Sequence, residues 1–447
     1  MTLGELAQRL GGQLVGVAGN QEFRHFATDN RQIQQGDVFL CIAGANVDGH
    51  NFAESAMAAG ASACIAERTV NAPHIFVENL VDALGNFGRS LRRDFDGPVI
   101  GLTGSHGKTT TKEFVAAALS PLGPVLKNEG NRNSEYTSPL LWHDRVPGMK
   151  SAVVEMGMRG FDQITHLAKV HEPNIGLITV IGTAHIEKVG SREGISKAKA
   201  ELFDALPCDG TAIFWHEDDY ARDLRSHVKG RGLTFGFSPE ADSQVLGYRM
   251  LGWTACQIRG RVGSETYEVE LPVTGRHQAL NVASAILTAH VAGVSVSDAA
   301  AALPTAHIPP LRMEVRKWNG ATILVDTYNA SPDSTIAALK TLLEGEASGR
   351  RLAILGEMKE LGDFTEAGHR MVGKALVGTD LDHVFFTGGA MDIAAETALA
   401  GGFPASRMIR RPSVNLDEIR EFLSSVCEGD VVLIKGSRAL GLEKALG

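Results

Sequence analysis

The run VIGLTGSHGKTTTKEF constrains the fold of this chain more than any other segment. It predicts a buried strand that passes through a glycine-bearing loop into a helix, so backbone N–H groups and the helix N-terminus converge on one spot that suits phosphate. Gly104 and Gly107 let the backbone approach closely, Lys108 can reach outer phosphates, and the Thr109 hydroxyl can bind magnesium. Leu102 stands where the common motif has its first glycine. The run alone therefore predicts a nucleotide-phosphate site, with a plain glycine turn as the alternative.

Length and composition limit what can surround this loop. With 447 residues the chain exceeds what one hydrophobic core usually fills, so two or three domains are expected. Its net charge of −9 gives no broad basic field for nucleic acid or an anionic membrane. Five cysteines without a C-x-x-C pair predict neither a disulfide framework nor a zinc site. Without a basic leader or a stretch of ~20 apolar residues, the protein is expected to be soluble and cytoplasmic.

Strand and helix patterns divide the chain into three predicted α/β domains. Residues 1–95 hold short apolar runs, turns and an alanine-rich helix, which indicates a small mixed domain. Residues 96–308 alternate strands with amphipathic segments, as in a parallel sheet covered by helices. The proline-bearing run LPTAHIPPLR then precedes a fresh series of strands over residues 309–447, which indicates a Rossmann-like domain.

Further motifs follow the phosphate loop in a fixed order. They are EGNRNSEYTSP, VVEMG, IGTAHIE, SKAKAEL, GRHQALNVASA, LRMEV and DTYNASPDS. In this order they resemble the Mur ligases, and the resemblance covers nearly the whole chain. It implies an ATP-dependent amide ligase with a UDP-sugar-binding first domain, an ATP-binding central domain of the P-loop type, and a C-terminal domain that binds the incoming dipeptide.

Three of these motifs carry side chains that a two-metal site would use. Glu155 closes an apolar strand, and its carboxylate supplies hard oxygen for magnesium, although a lone glutamate there is more often on the surface. The resemblance implies that His185 binds a second magnesium ion, whereas a strand-end histidine is otherwise usually structural. It also implies that Lys199, rather than the solvated Lys197, is carbamylated by carbon dioxide and becomes an oxygen ligand. The predicted metal ligands are Thr109, Glu155, His185 and Lys199, and the predicted catalytic residues are Lys108, Glu155, His185 and Lys199.

The resemblance also assigns an ATP site. Asn281 takes the position of the family's adenine contact, and Arg312 is placed to touch phosphate, although either side chain alone could be structural. Asp326 and Asn329 follow a strand of the third domain and approach the nucleotide from that side. The complete predicted site is Gly104, Ser105, His106, Gly107, Lys108, Thr109, Thr110, Asn281, Arg312, Asp326 and Asn329.

A segment of the first domain, ATDNRQIQQGDVFLCIAGANVDGHNF, resembles the family's uridine-diphosphate sugar segment. It departs from the pattern at Asn30, where the family has serine, and the later loop NRNSEYTSP departs at Ser134, Tyr136 and Thr137. These changes bear on substrate detail. The residues that still match, and that we predict to bind the sugar nucleotide, are Asp29, Arg31, Asp48, His50 and Asn133.

The C-terminal motifs indicate the reaction. DTYNASPDS, AILGEMKELGDFTEAGH and VVLIKGSRALGLEK resemble the family member that adds D-alanyl-D-alanine to a UDP-muramoyl tripeptide in peptidoglycan precursor synthesis. Lys435, Ser437 and Arg438 offer basic and hydroxyl donors for the dipeptide carboxylate. We expect ATP and Mg²⁺ as requirements, an acyl phosphate as intermediate, and a monomer. The alternatives are a related amide ligase with another substrate, and a catalytically silent binding subunit.

Overall fold

Three sheets follow one another along the chain, each covered by helices, so the molecule has three α/β domains as the sequence predicts. This computed structural model describes residues 1–44 and 47–447. Ala45 and Asn46, inside the predicted sugar-nucleotide segment, lie outside the described residues. Within the described ranges, no helix combines the length and the apolar character needed to cross a membrane.

The first sheet is small. Its buried centre is formed by two short strands, Val38–Leu40 and Ala63–Ala66, in which every residue is buried. Such continuous apolar runs form strands that are covered on both faces. In chain order the elements are α1 (Leu3–Leu10), β1 (Gln13–Val15), β2 (Phe26–Ala27), β3 (Val38–Leu40), α2 (Ala53–Ala58), β4 (Ala63–Ala66), β5 (His74–Phe76) and α3 (Leu80–Arg92). The strand order is β1-β5-β4-β3-β2, with only β1 antiparallel to its neighbour.

The central sheet has nine strands and carries the phosphate loop. Its elements are β6 (Val99–Thr103), α4 (Lys108–Leu119), β7 (Val125–Lys127), β8 (Ser151–Glu155), α5 (Gln163–His171), β9 (Ile175–Ile178), α6 (Ile186–Val189), α7 (Arg192–Asp204), β10 (Thr211–Trp215), α8 (Ala221–Ser226), β11 (Arg231–Gly236), β12 (Ser243–Met250), β13 (Cys256–Val262), β14 (Glu265–Leu271), α9 (His277–Val291) and α10 (Val296–Ala302). The order is β14-β13-β12-β11-β10-β9-β6-β8-β7. Strands β6 to β12 run parallel, and β13 and β14 extend the sheet as an antiparallel meander.

The third sheet has six strands, of which five are parallel. Its elements are β15 (Glu314–Trp318), β16 (Ala321–Asp326), α11 (Pro332–Glu344), β17 (Arg351–Gly356), α12 (Thr365–Leu376), β18 (His383–Thr387), α13 (Met391–Ala400), β19 (Met408–Arg411), α14 (Leu416–Ser424) and β20 (Val431–Lys435). The order is β15-β16-β20-β17-β18-β19, with β15 antiparallel at the edge. This is the open, helix-covered sheet of a Rossmann-like domain.

Register within the central sheet decides where functional side chains meet. Strand β6 lies between β8 and β9, with Leu102 opposite Glu155 and Thr103 opposite Ile178. In a parallel sheet the carboxyl ends of neighbouring strands lie at one edge, where ligands bind in open α/β folds. The loops after β6, β8 and β9 therefore share one edge of the central sheet.

The domains contact one another through side chains. His143, in the central part of the chain, stacks on Phe23 with ring centroids 5.0 Å apart and also contacts Phe26 and Phe87. One apolar cluster continues from the central domain into the C-terminal domain, where it includes Leu339 and Leu355. The candidate site lies where these domains meet.

Candidate functional site

Two glycines shape the phosphate loop. Gly104 has φ +152°, and a Cβ there would lie 1.8 Å from the Thr179 hydroxyl. Gly107 has φ +76° and precedes the first residue of α4, beside the Asn281 side chain. Only glycine tolerates both the conformation and the close approach. The Lys108 ammonium donates to the Gly104 carbonyl at 2.8 Å, and burial lowers the pKa of Lys108 while Glu155 opposes that shift.

Glu155 is held in place by two asparagines, although it is buried. Asn128 accepts from the Glu155 backbone N–H at 2.8 Å and donates to its carbonyl at 2.9 Å. Asn133 donates to Oε1 at 2.8 Å. Oε2 is buried without a hydrogen-bond partner, and the Lys112 ammonium is 3.8 Å away. An acceptor-only oxygen without a hydrogen bond in the interior is costly, and an ammonium at 3.8 Å compensates it only in part, so Oε2 can also bind a metal cation.

Lys199 is buried to 1% exposure in α7. Within the described part of the chain its ammonium has no carboxylate partner within 4.0 Å. Burial holds the pKa of Lys199 well below its ordinary value, and the nearby charge of Lys108 lowers it further. Lys197 instead is exposed and pairs with Glu193 at 2.8 Å. The two lysines of α7 therefore differ, because burial disfavours the charged form of Lys199, whereas Lys197 is an exposed, paired cation.

Glu201, two residues after Lys199 in α7, contacts the neighbouring helix α5. Its carboxylate accepts from the backbone N–H groups of Asp162 at 2.8 Å and Thr165 at 3.0 Å. Asp162, the residue before α5, makes no side-chain cap of its own. Glu201 therefore caps the N-terminus of α5 from the neighbouring helix.

His185 lies between β9 and α6, half-buried and with φ +62°. Its Nδ1 atom is 2.9 Å from Oε2 of Glu360, which belongs to the C-terminal domain. This contact is the main cause of a lowered pKa of Glu360. The sequence analysis did not single out Glu360, although it lies within the quoted motif AILGEMKELGDFTEAGH.

The C-terminal domain also reaches the phosphate loop through Arg312. Its guanidinium donates to the Thr109 hydroxyl at 2.9 Å and lies 4.0 Å over the ring of Tyr328. Lys435 is buried, pairs with Asp326 at 2.7 Å and donates to the Asn329 carbonyl at 2.7 Å. These contacts fix the predicted third-domain residues on one side of the cavity.

A second cross-domain contact was missed by sequence reasoning. Asp333, in the first turn of α11, accepts from the Thr183 backbone N–H at 2.9 Å and hydroxyl at 2.7 Å, and lies 3.3 Å from the His106 ring. Burial alone would raise the pKa of Asp333, but the His106 and Thr183 contacts bring it well below its ordinary value. The only sequence signal was its place within DTYNASPDS.

Most predicted residues line one cavity of about 920 Å³ to which all three domains contribute. That volume lies within the range of small-molecule and cofactor sites. Thr28 of the first domain and Asn133 of the central domain are among the residues that line it. The predicted residues that line it are Ser105, His106, Gly107, Lys108, Thr109, Thr110, Asn133, Glu155, His185, Asn281, Arg312, Asp326, Asn329 and Lys435.

Several predicted sugar-nucleotide residues do not line that cavity. Asp29 pairs with the exposed Arg31, whose hydrogen bonds lower the pKa of Asp29 to about 2. His50 is buried with Nδ1 2.7 Å from Asp48, while Nε2 accepts from the Glu67 backbone N–H at 3.1 Å. Both ring nitrogens of His50 are thereby used within the first domain.

The three residues predicted to bind the dipeptide differ in whether they line the cavity. Lys435 lines the cavity, whereas Ser437 and Arg438 do not. Ser437 accepts from the Lys359 backbone N–H at 2.8 Å, and Arg438 pairs with Glu443 at 2.8 Å. Binding of a dipeptide by these residues stays a prediction.

The oxygen atoms of Glu155 and Thr109 at the edge of the central sheet fit a magnesium ion that also binds a nucleotide phosphate. Among the residues that the structure describes, no three His, Cys, Asp or Glu side chains come together to enclose a metal ion. Mg²⁺ usually takes one or two protein carboxylates and completes its shell with phosphate oxygens and water. The unpaired Glu155 oxygen and the Thr109 hydroxyl, both on the loop edge, are such a partial set.

Comparisons with known proteins agree along the whole chain. Three family models match: the Mur ligase family catalytic domain at residues 22–87, the Mur ligase middle domain at 102–289, and the Mur ligase glutamate ligase domain at 311–438. A UDP-N-acetylmuramoyl-tripeptide–D-alanyl-D-alanine ligase of Synechocystis sp. is 34% identical over 94% of this chain and 90% of its own length.

Solved structures of MurF ligases are similar to this chain over nearly its whole length. A crystal structure of MurF from Acinetobacter baumannii superposes with a TM-score of 0.89 at 28% identity, over 100% of this chain and 97% of that one. MurF ligase from Thermotoga maritima in complex with ADP superposes with a TM-score of 0.80 at 31% identity, over 95% and 96% of the two chains.

Proposed function

The chain belongs to the Mur ligase family, and on that basis we propose that it joins D-alanyl-D-alanine to a UDP-N-acetylmuramoyl tripeptide while ATP is converted to ADP and phosphate. The observation that carries this proposal is the buried, unpaired Oε2 of Glu155 beside a phosphate loop, in a cavity lined by three domains. A cation-binding oxygen at a nucleotide-phosphate site is what phosphoryl transfer requires.

The reaction takes two steps. A terminal carboxylate oxygen of the tripeptide attacks the γ-phosphorus of ATP, the bond to ADP breaks, and an acyl phosphate forms. The dipeptide amine then attacks the acyl carbon, phosphate leaves with the bonding electrons, and the amine loses a proton. Lys108, whose ammonium rests on loop carbonyls, is positioned to turn toward the transferred phosphoryl group. Arg312, already on the Thr109 hydroxyl, is the second cation at that point.

Four side chains would hold magnesium in this mechanism. Thr109 and Glu155 would hold one ion, and His185 and a carbamate on Lys199 would hold the second. When bound, Mg²⁺ neutralises charge that develops on the transferred phosphoryl group. Burial of Lys199 supports the carbamate, because it favours the uncharged amine, whose nitrogen can bond to the carbon of carbon dioxide and then lose a proton.

We place the sugar nucleotide at the part of the cavity that Thr28 and Asn133 line, next to the first domain with Asp29, Arg31, Asp48 and His50. We place the dipeptide carboxylate beside Lys435, which lines the cavity and is followed in the chain by Ser437 and Arg438. Domain boundaries at 1–95, 96–308 and 309–447 accord with the three family matches, each of which falls inside one proposed domain. We place the reaction in the cytoplasm, where ATP is made.

The test is a substrate-omission assay. Purified protein with ATP, Mg²⁺, the tripeptide nucleotide and D-alanyl-D-alanine should release phosphate and form a product whose mass is the sum of tripeptide and dipeptide less one water. Leaving out any one component should stop both. Phosphate release that persists without the dipeptide would refute the proposed acceptor, and activity with another amino acid or peptide would favour a related ligase.

A further inference from the structure

One close contact between the central and C-terminal domains, between an imidazole and a carboxylate, is not explained by the functions given above. Nδ1 of His185 lies 2.9 Å from Oε2 of Glu360. His185 precedes α6 of the central domain, and Glu360 lies between β17 and α12 of the C-terminal domain. The contact therefore exists only when these two domains are together.

Both partners have a strained backbone. His185 has φ +62° and Glu360 has φ +64°, in the left-handed region that side chains with a Cβ disfavour. Strain of this kind persists where the surrounding structure imposes it, and it clusters at functional sites and ligand clamps. Here two strained residues from different domains meet through their side chains.

The loop that carries Glu360 is pressed against α6. Gly362 has φ +51°, and a Cβ at this position would lie 2.7 Å from Cγ of Glu187. The Glu360 side chain is nevertheless 61% exposed, and an ion pair as exposed as this one contributes little to stability. Folding stability is therefore a poor reason for the chain to keep both strained residues.

The chemistry of imidazole supplies a better reason. A carboxylate that accepts the Nδ1–H proton leaves Nε2 with its lone pair free, and protein histidines that bind metal ions commonly have such a carboxylate or carbonyl behind them. His185 lines the cavity on the side where the phosphate loop lies. The pair thus places a carboxylate oxygen next to Nδ1 and leaves Nε2 as the ring nitrogen available to a cation.

We propose that Glu360 is a positioning residue that orients His185 for magnesium, so that closure of the C-terminal domain completes the metal site. This inference rests on the proposed function, because it takes His185 as a metal ligand. It adds that the ligand becomes competent only when Glu360 reaches it from the other domain. A C-terminal domain that moves away withdraws Glu360 and leaves His185 free to rotate.

The test uses Mn²⁺ as the probe, with the full-length protein and the β,γ-methylene analogue of ATP, so that no turnover is needed. Electron spin-echo spectra of the wild type should show modulation from one histidine nitrogen, and His185→Ala should remove it. Glu360→Ala should weaken Mn²⁺ binding at this site about 10- to 100-fold and reduce the modulation. Glu360→Gln should lose less, because its amide oxygen still accepts from Nδ1–H.

Two further variants exclude a merely structural role. Glu366→Gln removes an exposed charge that pairs with Arg370 in the same domain and should leave Mn²⁺ binding unchanged. Glu360→Gly relieves the left-handed strain, so its unfolding midpoint should stay level or rise while Mn²⁺ binding weakens. Absence of histidine modulation in the wild type, or wild-type Mn²⁺ affinity in Glu360→Ala, would overturn the inference. Failure of the proposed reaction would show separately, in the substrate-omission assay.

Discussion

Two helices on opposite faces of the central sheet each bury one lysine, with different consequences. Lys112 of α4 and Lys199 of α7 are both 1% exposed. The Lys112 ammonium lies 3.5 Å from Glu113 and 3.8 Å from Glu155, and donates to the Asn128 carbonyl at 2.5 Å. Lys199 lies near another cation, Lys108, and burial lowers its pKa.

The difference shows that burial alone does not determine what a lysine does. A buried ammonium is stabilised by carboxylates and carbonyls around it, and burial without them lowers the pKa of a lysine. Lys112 therefore serves the architecture around Glu155, whereas burial favours the uncharged form of Lys199. Four measurements test this difference between Lys112 and Lys199.

Lys112→Met should have the largest effect, on stability. It removes the cation between two buried carboxylates, which typically destabilises a fold by about 3–5 kcal/mol. Lys199→Met removes a buried lysine whose lowered pKa makes folding less favourable at pH 7, and it keeps a similar side-chain volume, so it should leave stability level or raise it. Urea unfolding followed by tryptophan fluorescence measures both. Equal losses in the two variants would remove the distinction between the lysines.

Lys199→Ala should act on catalysis. Loss of one charge-stabilising group in an active site lowers kcat by about 100- to 1,000-fold. Lys197→Ala is the matched control, because Lys197 sits on the same helix, exposed and paired with Glu193, and should keep nearly full activity. Phosphate release under saturating substrates gives kcat. If Lys197→Ala were the more damaged variant, Lys199 would not be the reactive lysine.

The two lysines should also differ in how stability depends on pH. Unfolded Lys199 binds a proton below about its ordinary pKa of 10.5, whereas burial lowers the pKa of the folded group well below that value. Raising the pH toward 10.5 therefore stabilises the wild type relative to Lys199→Met, by at most about 1.4 kcal/mol per pH unit. The stabilisation is lost as the pH falls toward the lowered folded pKa. Urea unfolding at pH 7 and pH 9, in buffer free of carbon dioxide, should show diverging values; parallel values would mean that folded Lys199 keeps its proton.

Glu201→Ala should have the smallest effect. It removes the cap of α5 and should destabilise the protein by about 0.5–2 kcal/mol, the usual range for a lost N-cap. Since Glu201 bonds to Asp162 and Thr165, kcat should change little. Thermal unfolding and the phosphate assay report the two quantities. A collapse of kcat without loss of stability would place Glu201 in the chemistry beside Lys199.

Local pattern was sufficient to predict much of the fold. The apolar runs at Val99, Ser151 and Ala321 are strands, the phosphate loop enters a helix at Lys108, and three α/β domains follow one another. These predictions succeed because a buried parallel strand and a glycine-bearing turn have local sequence signatures. The antiparallel extension β13 and β14 was not predicted, because it depends on pairing at the sheet edge.

Contacts between distant residues had no comparable signature. Asn128 precedes a quoted motif, yet nothing in the sequence says that it clamps Glu155 through both backbone groups. Asp333 and Glu360 lie within quoted motifs, but their partners Thr183 and His185 come from another domain. Such hydrogen bonds are set by how domains pack.

The sequence by itself determined the kinds of groups available: a phosphate loop with Lys108, a strand-end Glu155, a histidine and a helix lysine, in an order that resembles one enzyme family. Tertiary structure alone decided their states. Burial, and then the charge of Lys108, lower the pKa of Lys199, while Oε2 of Glu155 has no hydrogen bond because the neighbouring asparagines bond to the other polar atoms of that residue. Charge in a protein interior depends on neighbours within a few ångströms, and those neighbours come from distant parts of the chain.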